Sequence, residues 1–275
     1  MADLQLTDNA FQRLVHVMYR AAGLSFSENK RFLVQSRLAG RIQQLGLDSF
    51  EAYADVLCGP HAHGEMQAAL DLLTTNETYF FREPEHFQVL EQHVTRWGHK
   101  RALRVWSAAC SYGDEPYSIA MLLMDLQVSG KTSSGWSIVA TDISHRVLLA
   151  AKEGIYPQDR LRAVSEDRLR RYCLRGDGQS DGLVMVQEKL RQHVQFGQLN
   201  LCQPLDTDWG LFDAIFLRNV LIYFDAPTKQ EVADRVLQTL RPGGLFFVGT
   251  AEGRVVCRTP LDVVRPGVFR KKEAA

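Results

Sequence analysis

Three short segments of this chain carry more polar chemistry than their apolar surroundings require. The first is Thr74–Phe87, TTNETYFFREPEHF, which sets Asn76, Thr78, Tyr79, Arg82, Glu83 and His86 among Phe80, Phe81 and Phe87. A plain linker needs only Gly, Ser, Pro and charge. This one has aromatic anchors to fix it and polar groups to meet a ligand. The second is Ala108–Tyr117, AACSYGDEPY, where small residues let the backbone approach a ligand closely and Asp114 and Glu115 make the loop acidic. The third is Phe216–Phe224, FLRNVLIYF, in which Arg218, Asn219 and Tyr223 interrupt an apolar run. Leaving these three buried and unpaired would cost on the order of a few kcal/mol each, so partners or a ligand are expected. Asp142, in ATDIS, adds a carboxylate of the kind that takes both hydroxyls of a ribose.

Each acid also has an ordinary alternative role. Glu115 stands where it would favour the dipole of a following helix. Asp142 stands where it could cap the next one, although Ser144 is better placed for that. The single Gly113 does not make a G-x-G-x-x-G fingerprint, and an acidic loop suits a pyrophosphate poorly. It suits an ammonium or a sulfonium. An acidic loop, a ribose-type Asp and no phosphate cradle together point to S-adenosylmethionine, which carries a ribose, an ammonium and a sulfonium but no phosphate.

The elements that must position these groups fall into two regimes. Residues 7–90 read as helical. Phe11, Leu14, Val15 and Met18 share one face of a first helix, with Asp8 as its expected cap and Gly23 as its end. A second helix, Ser27–Leu45, puts Phe32, Leu33, Leu38, Ile42 and Leu45 on an apolar stripe and Lys30, Arg31, Arg37 and Arg41 on a cationic face, with Gly46 as its stop. Asp48 is expected to open a third helix, and Met66–Leu73 continues the pattern.

From about Arg101 the period changes. Arg104–Ala109, Ser137–Thr141, Gln195–Leu199, Asp213–Leu217 and Leu245–Gly249 read as strands. Glu115–Leu126, Ser144–Ala151 and Thr228–Leu240 read as helices, and Pro242-Gly243-Gly244 as a turn. This alternation predicts an α/β domain with a doubly wound, mostly parallel, Rossmann-like sheet. Ligands bind such sheets at the carboxyl ends of the strands, where the second segment, the third segment and Asp142 all fall. Arg175–Glu188, with its Gly/Asp-rich turn, reads as a small antiparallel β-insertion spanning 172–190. The expected division is a small all-α domain at 1–90, ending in the arm 74–87, then the α/β domain at 91–275.

Composition narrows the classes. Apolar residues make 45% and charged residues 23% of 275, and Lys+Arg equal Asp+Glu at 32 each, so net charge does not point to nucleic acid. No apolar run approaches the roughly 18 residues of a membrane span. Met1–Leu14 lacks the basic start and apolar core of a signal peptide. The five cysteines are scattered, with no C-x-x-C pair, so a reduced, cytosolic setting is expected. His61 and His63 lack a third ligand and no metal is expected; His145 and His193 read as surface residues, and Cys110 as a small packing residue.

The segments TTNETYFFREPEHF, RVWSAACSYGDEPYSIAM, ATDIS, Asn200-Leu201 and FDAIFLRNVLIYF resemble, in that order and over nearly the whole chain, the chemotaxis receptor methyltransferase family, CheR. The resemblance implies a helical N-terminal domain, an S-adenosylmethionine domain and a β-subdomain inserted in it. It implies methyl transfer to glutamate side chains on the cytoplasmic helices of chemoreceptors, with S-adenosylhomocysteine as product, by a cytoplasmic monomer. By motif match, Asn76, Thr78, Arg82, Glu115, Asp142, Asn200, Leu201, Arg218 and Asn219 would line the cofactor site, with Arg82 and Tyr223 closest to the reacting centre. The helix bearing Lys30, Arg31, Arg37 and Arg41 would dock on acidic receptor helices, although Gly40 and Gln43 stand where more basic members carry further cations. The Gly176-x-Gly178 loop resembles that of members whose β-subdomain takes a receptor's C-terminal pentapeptide as an added strand.

Two other readings remain at this point. One is a cofactor-binding, receptor-docking module with little catalysis, against which intact Arg82 and Tyr223 argue. The other is a class I methyltransferase for a different substrate. For nucleic acid, the chain lacks an Asn/Asp-Pro-Pro-Tyr/Phe motif to receive a flipped base.

Overall fold

Phe11, Leu14 and Met18 recur at helical spacing, and all three are at most 1% exposed on helix α1, Asp8–Ala22. The computed structural model describes residues 4–60, 62–97, 101–132, 135–205, 209–253 and 255–273. Thr7, not Asp8, caps α1: its hydroxyl accepts from the Ala10 amide at 3.2 Å, and Asp8 sits in the first turn. Gly23 ends the helix at φ 68°, as expected of a left-handed stop. A short 3-10 turn at Glu28–Lys30 leads into α2, Arg31–Gln44. Its buried stripe is Val34, Leu38 and Ile42, an i, i+4, i+8 row. Phe32, expected on that stripe, is 81% exposed, because two residues before Val34 lies on the opposite side of the helix. Leu45 is likewise exposed. Ser49 caps α3, Phe50–Cys58, displacing Asp48 from the role expected of it, and α4 runs His63–Leu73.

The segment after α4 is non-helical until Pro84 starts α5, Pro84–Trp97. The core of the helical domain ends at Leu73, whereas Phe80, Phe81, Phe87, Leu90 and Val94 belong to the core of the α/β domain. The arm therefore hangs from the second domain, and α5 packs along α6.

The main sheet has seven strands in the order β6-β2-β1-β7-β8-β10-β9. β1 (Leu103–Ser107), β2 (Trp136–Asp142), β6 (Val194–Gln198), β7 (Phe212–Phe216) and β8 (Leu240–Phe247) run parallel. Adjacent residues feed opposite faces. Val105, Ala214 and Phe247 face the core shared with α5 and α6, Asp114–Val128. Trp106, Ile215 and Phe246 face the core under α10, Ala226–Gln238. The remaining helices are α7 (His145–Glu153), α8 (Glu166–Tyr172) and α9 (Glu188–Arg191). The Pro242-Gly243-Gly244 turn lies within β8, where the register against β7 slips. The C-terminal hairpin, β9 (Leu261–Arg265) and β10 (Val268–Lys271), was not expected from the sequence and sets β10 antiparallel between β8 and β9.

A second sheet of three antiparallel strands is ordered β3-β5-β4, with β3 at Ile155–Pro157, β4 at Cys173–Arg175 and β5 at Leu183–Val186. The expected insertion at 172–190 contains β4 and β5. β3 lies outside it, because three residues just after a helix show no period. Among the described residues no helix is long and apolar enough to cross a membrane.

Phe80 is fully buried and meets the Tyr156 ring edge-on at 5.1 Å, so the arm is anchored on the β-insertion. Phe80→Ala is expected to destabilise the protein by about 3–5 kcal/mol in urea unfolding. A loss below about 1 kcal/mol would mean that the arm is held by something other than its aromatic anchors.

Candidate active site

The carboxyl ends of β1, β2 and β7 meet the arm at a cavity of about 490 Å³. The loop after β1 turns through Ser111 at φ 50° and Gly113 at φ 91°. A side chain at Gly113 would come within 2.9 Å of the Tyr156 hydroxyl, so glycine is demanded there by space as well as by backbone. The turn aims the Ser111 amide at Asp142 Oδ2, 2.8 Å away, while the Ser144 amide donates to Oδ1 at 3.0 Å. Asp142 is 7% exposed, and burial pushes its carboxyl above the usual range against the pull of these amides. The Ile143 amide faces the same carboxylate. Ser144 also caps α7 through its own hydroxyl, which leaves Asp142 without a capping duty.

Glu115, one residue into α6, points back at the strand ends. Ser107 Oγ donates to its Oε1 at 2.6 Å and Arg218 Nη1 to its Oε2 at 3.0 Å. Burial raises its carboxyl, with Arg218 and Ser107 acting in the opposite sense. Arg218, just beyond β7, is 6% exposed. Its second terminal nitrogen donates to Glu83 Oε2 at 3.0 Å and to the Arg82 carbonyl, and its plane lies 5.9 Å from the Phe87 ring. Arg218 thus joins α6, the arm and the loop after β7. Burial opposes the charge of Glu83, but Arg218 outweighs it and holds that carboxyl below its usual range. His86, 1% exposed beside Glu83, is held below its usual range by burial and by Arg218.

The arm's backbone is strained where it turns. Phe81 and Glu83 have φ of 55° and 57°, conformations that cost non-glycine residues about 1–3 kcal/mol each. Each is tied down: the Phe81 amide donates to Ser118 Oγ at 2.9 Å, and Glu83 Oε1 accepts from the Thr250 amide and hydroxyl at 3.2 and 3.1 Å. Between these ties Arg82 projects into the cavity. Its guanidinium bonds the Glu77 carbonyl at 3.0 Å and lies over the Tyr79 ring; among the described residues it meets no carboxylate. Tyr223 enters from the loop after β7, its hydroxyl 3.4 Å from the Thr75 carbonyl, and burial raises its pKa.

All ten residues expected at the cofactor site or reacting centre line this one cavity. Their roles differ in kind. Asn76 contributes its carbonyl to Ser111 Oγ at 2.9 Å, and Thr78 and Leu201 line the wall. Asn200 donates to the Ala21 carbonyl at 2.7 Å and accepts from the Cys202 amide at 3.0 Å, so it fastens the end of α1 to the second domain. Asn219 sits at φ 57°. Three contributions escaped sequence reasoning. Leu24, Phe26 and Lys30 of the helical domain form a wall of the cavity. Glu83 carries the arm. Glu252 accepts from the amides of Gly249, Asn219 and Leu221 at 2.6, 2.8 and 2.7 Å. Glu83 at least lay in the motif; Glu252 had no local signal.

The four expected docking cations separate in the structure. Arg37 donates to the carbonyls of Leu72, Leu73 and Thr74 at 3.3, 3.0 and 2.9 Å, ending α4 and starting the arm. Arg41 grips Glu65 through two nitrogens, with Tyr53 as a third partner of that carboxylate. Arg31 pairs with Asp8 and Glu28. Lys30, exposed at the cavity, forms no ion pair among the described residues. In the β-insertion, a side chain at Gly176 would collide with the Ser180 carbonyl, and Gly178 has φ 53°. Among the described residues no cluster of His, Cys, Asp or Glu could hold a metal; His61 lies outside them. Cys110 is buried, and burial raises its thiol well above the ordinary value, which suits packing.

Residues 9–74 match the all-α domain of the CheR methyltransferases, and residues 76–261 match their SAM-binding domain. The chain belongs to the CheR methyltransferase family. It is 43% identical over 249 residues to the chemotaxis protein methyltransferase of Escherichia coli K12, covering 90% of this chain and 86% of the relative. It is 43% identical to chemotaxis protein methyltransferase 2 of Pseudomonas aeruginosa, covering 92% and 89%. A relative in Borreliella burgdorferi is 32% identical over 98% and 96% of the two chains. The family junction, between 74 and 76, coincides with the change of core.

This methyltransferase therefore uses S-adenosylmethionine in chemotaxis, and the residues present fit it. Asp142 presents a carboxylate to the cavity at a strand end, and Glu115 supplies buried negative charge. Arg218 stands behind Glu115 as its support. Arg218→Met should leave Glu83 and Glu115 buried without their cation and destabilise the fold by about 3–5 kcal/mol in urea unfolding at neutral pH. A change under about 1 kcal/mol would mean that the two carboxylates are solvated without it.

Proposed function

We propose that this methyltransferase transfers a methyl group to glutamate side chains on the cytoplasmic helices of chemoreceptors, forming glutamyl methyl esters. The observation that supports the reading is the contrast between two arginines lining one cavity. Arg218 commits both terminal nitrogens to Glu83 and Glu115. Among the described residues Arg82 meets only a backbone carbonyl and an aromatic face, and so offers its guanidinium fork to an incoming carboxylate. A glutamate is already ionised at neutral pH and needs no general base. Glu115 is tied to Arg218, and Asp142 to two amides.

S-adenosylmethionine, when bound, supplies a methyl group activated by its sulfonium. The chain's own work is alignment and exclusion of water, and alignment alone can supply much of a rate enhancement. Asp142 would take the ribose hydroxyls, and Glu115 with the loop 108–113 the cationic end of the cofactor. Arg82 would orient the substrate carboxylate without fully neutralising it, so that its oxygen stays nucleophilic. Tyr223, a phenol protonated at neutral pH, would hydrogen-bond the same carboxylate or the donor side. Esterification removes the substrate's charge and with it the hold of Arg82, which favours release.

The docking face follows from the same reading. Lys30 would meet acidic receptor helices at the cavity mouth, while Arg31, Arg37 and Arg41 chiefly hold the helical domain together. β4 is an edge strand of the small sheet, and with the Gly176–Gly178 loop beside it a receptor's C-terminal pentapeptide would add there as a strand. A cytoplasmic monomer completes the proposal.

Incubation with labelled S-adenosylmethionine and receptor-bearing membranes is expected to give base-labile methyl label on the receptors. Cofactor binding without any transfer would favour a docking module instead. Arg82→Ala is expected to lower transfer about 100-fold or more while the unfolding midpoint stays near that of the parent. Turnover within twofold of the parent would remove Arg82 from the reacting centre.

A further inference from the structure

We propose that Glu252 is a positioning residue for methyl transfer, holding the loop that carries Asn219 and Tyr223 in its working shape. Glu252 ends a short 3-10 turn after β8, at Thr250–Glu252. Its bond from the Gly249 amide at 2.6 Å is local and shapes that turn. Its other two bonds are not local. The Asn219 amide donates to Oε2 at 2.8 Å from 33 residues away, and the Leu221 amide to Oε1 at 2.7 Å from 31 residues away. The Ile222 amide faces the same carboxylate. One side chain therefore gathers amides from four residues on two loops.

The loop needs such a hold. Asn219 is in the left-handed region at φ 57°, where a non-glycine residue is strained. Gly249 lies so close that a side chain there would meet Asn219 Nδ2 at 2.4 Å. Both Asn219 and Tyr223 line the cavity, and Glu252 does not. It touches neither cofactor space nor substrate space, so its effect on transfer must pass through the loop. Among the described residues Glu252 forms no ion pair. Its partners are backbone amides, which pull its carboxyl down against the burial that raises it, an arrangement that positions backbone without competing for a ligand cation. Glu83 reaches the adjoining residue, Thr250, from the arm, so the turn at 249–252 braces both the Arg82 side and the Tyr223 side of the cavity.

The chemistry of the pair Glu and Gln gives a discriminating test. A carboxylate offers acceptors on both oxygens, whereas a glutamine has one acceptor oxygen and an NH₂ that would confront an amide donor. Glu252→Gln preserves volume but breaks the gathering of amides. In cofactor-free protein, amide hydrogen exchange across 217–223 is expected to accelerate about tenfold or more, with the cores of α1 and α10 unchanged. The receptor-methylation kcat is expected to fall roughly 10- to 100-fold, with KM for receptor within about twofold. Glu252→Asp, which keeps the charge with a shorter reach, is expected to recover part of both.

Combining E252Q with Tyr223→Phe should be less than additive in kcat, because both act through one loop. Unaltered exchange in 217–223, or a kcat within twofold of the parent, overturns the proposal. So does exchange that accelerates throughout the molecule in both variants, or full additivity with Tyr223→Phe. The kinetic part rests on the glutamate methyltransferase reading, but the exchange part does not. A parent protein that fails to methylate receptors sinks that reading, while the exchange result still decides whether Glu252 holds the loop.

Discussion

The geometry of the cavity depends on one buried guanidinium. Arg218 reaches Glu115 on α6 and Glu83 on the arm, and it also meets the carbonyl of Arg82. With Arg218 itself these groups come from three separated stretches, and without the cation two carboxylates would share a desolvated space. Burying charge is expensive unless it is paired and hydrogen-bonded. Here both carboxylates are paired, with Ser107 and Thr250 satisfying the outer oxygens, while the Arg218 Nε is buried without a partner. The arrangement does more than balance charge. It fixes the arm against the sheet from the residue next to Arg82, so the cavity-facing Arg82 inherits its position from the buried Arg218.

A second layer of constraint is carried by backbone amides. Asp142 is held by Ser111 and Ser144, and Glu252 by Gly249, Asn219 and Leu221. In both cases a carboxylate organises loops at strand ends, and in both a non-glycine residue with positive φ lies at the joint, Ser111 and Asn219. Strain of this kind persists only where surrounding bonds over-determine it. The two carboxylates differ in one respect. Asp142 faces the cavity, whereas Glu252 stands behind the wall.

Much of this was legible in the sequence because it is local. Strand β7 shows as an apolar run ending in Arg218 and Asn219, β2 as a run ending in Asp142, and the arm as aromatic residues interleaved with polar ones. The family resemblance then named the residues that line the cavity. What escaped was set by topology. Arg218 and Glu83 are 135 residues apart, and no period links them. Arg31, Arg37 and Arg41 looked like a free cationic face because periodicity reports which side of a helix is polar, not what lies opposite; Glu65, Asp8 and the α4 carbonyls took them up. Phe32 was assigned to the core by hydrophobicity when the i+4 row through Val34 was the better match. β3 was too short to show alternation, and the C-terminal hairpin lay beyond the expected βα units.

The distribution of charge also explains why this cavity suits a cationic donor. Glu115 and Asp142 line it, and Arg218 is shared between Glu115 and Glu83, so the cofactor end keeps an excess of negative charge within a partly dry space. Arg82 supplies positive charge at the arm, where a substrate carboxylate would enter. A cationic donor and an anionic acceptor would thus each be drawn to the wall of opposite sign. On the proposed reading, transfer of the methyl group to a glutamate would cancel both charges at once, leaving a neutral thioether and a neutral ester. The electrostatic hold on both products would then weaken in the same step. This coupling needs no moving lid and no titrating group; it requires only that the two walls keep their separation, which is what Arg218 on one side and the turn at 249–252 on the other maintain.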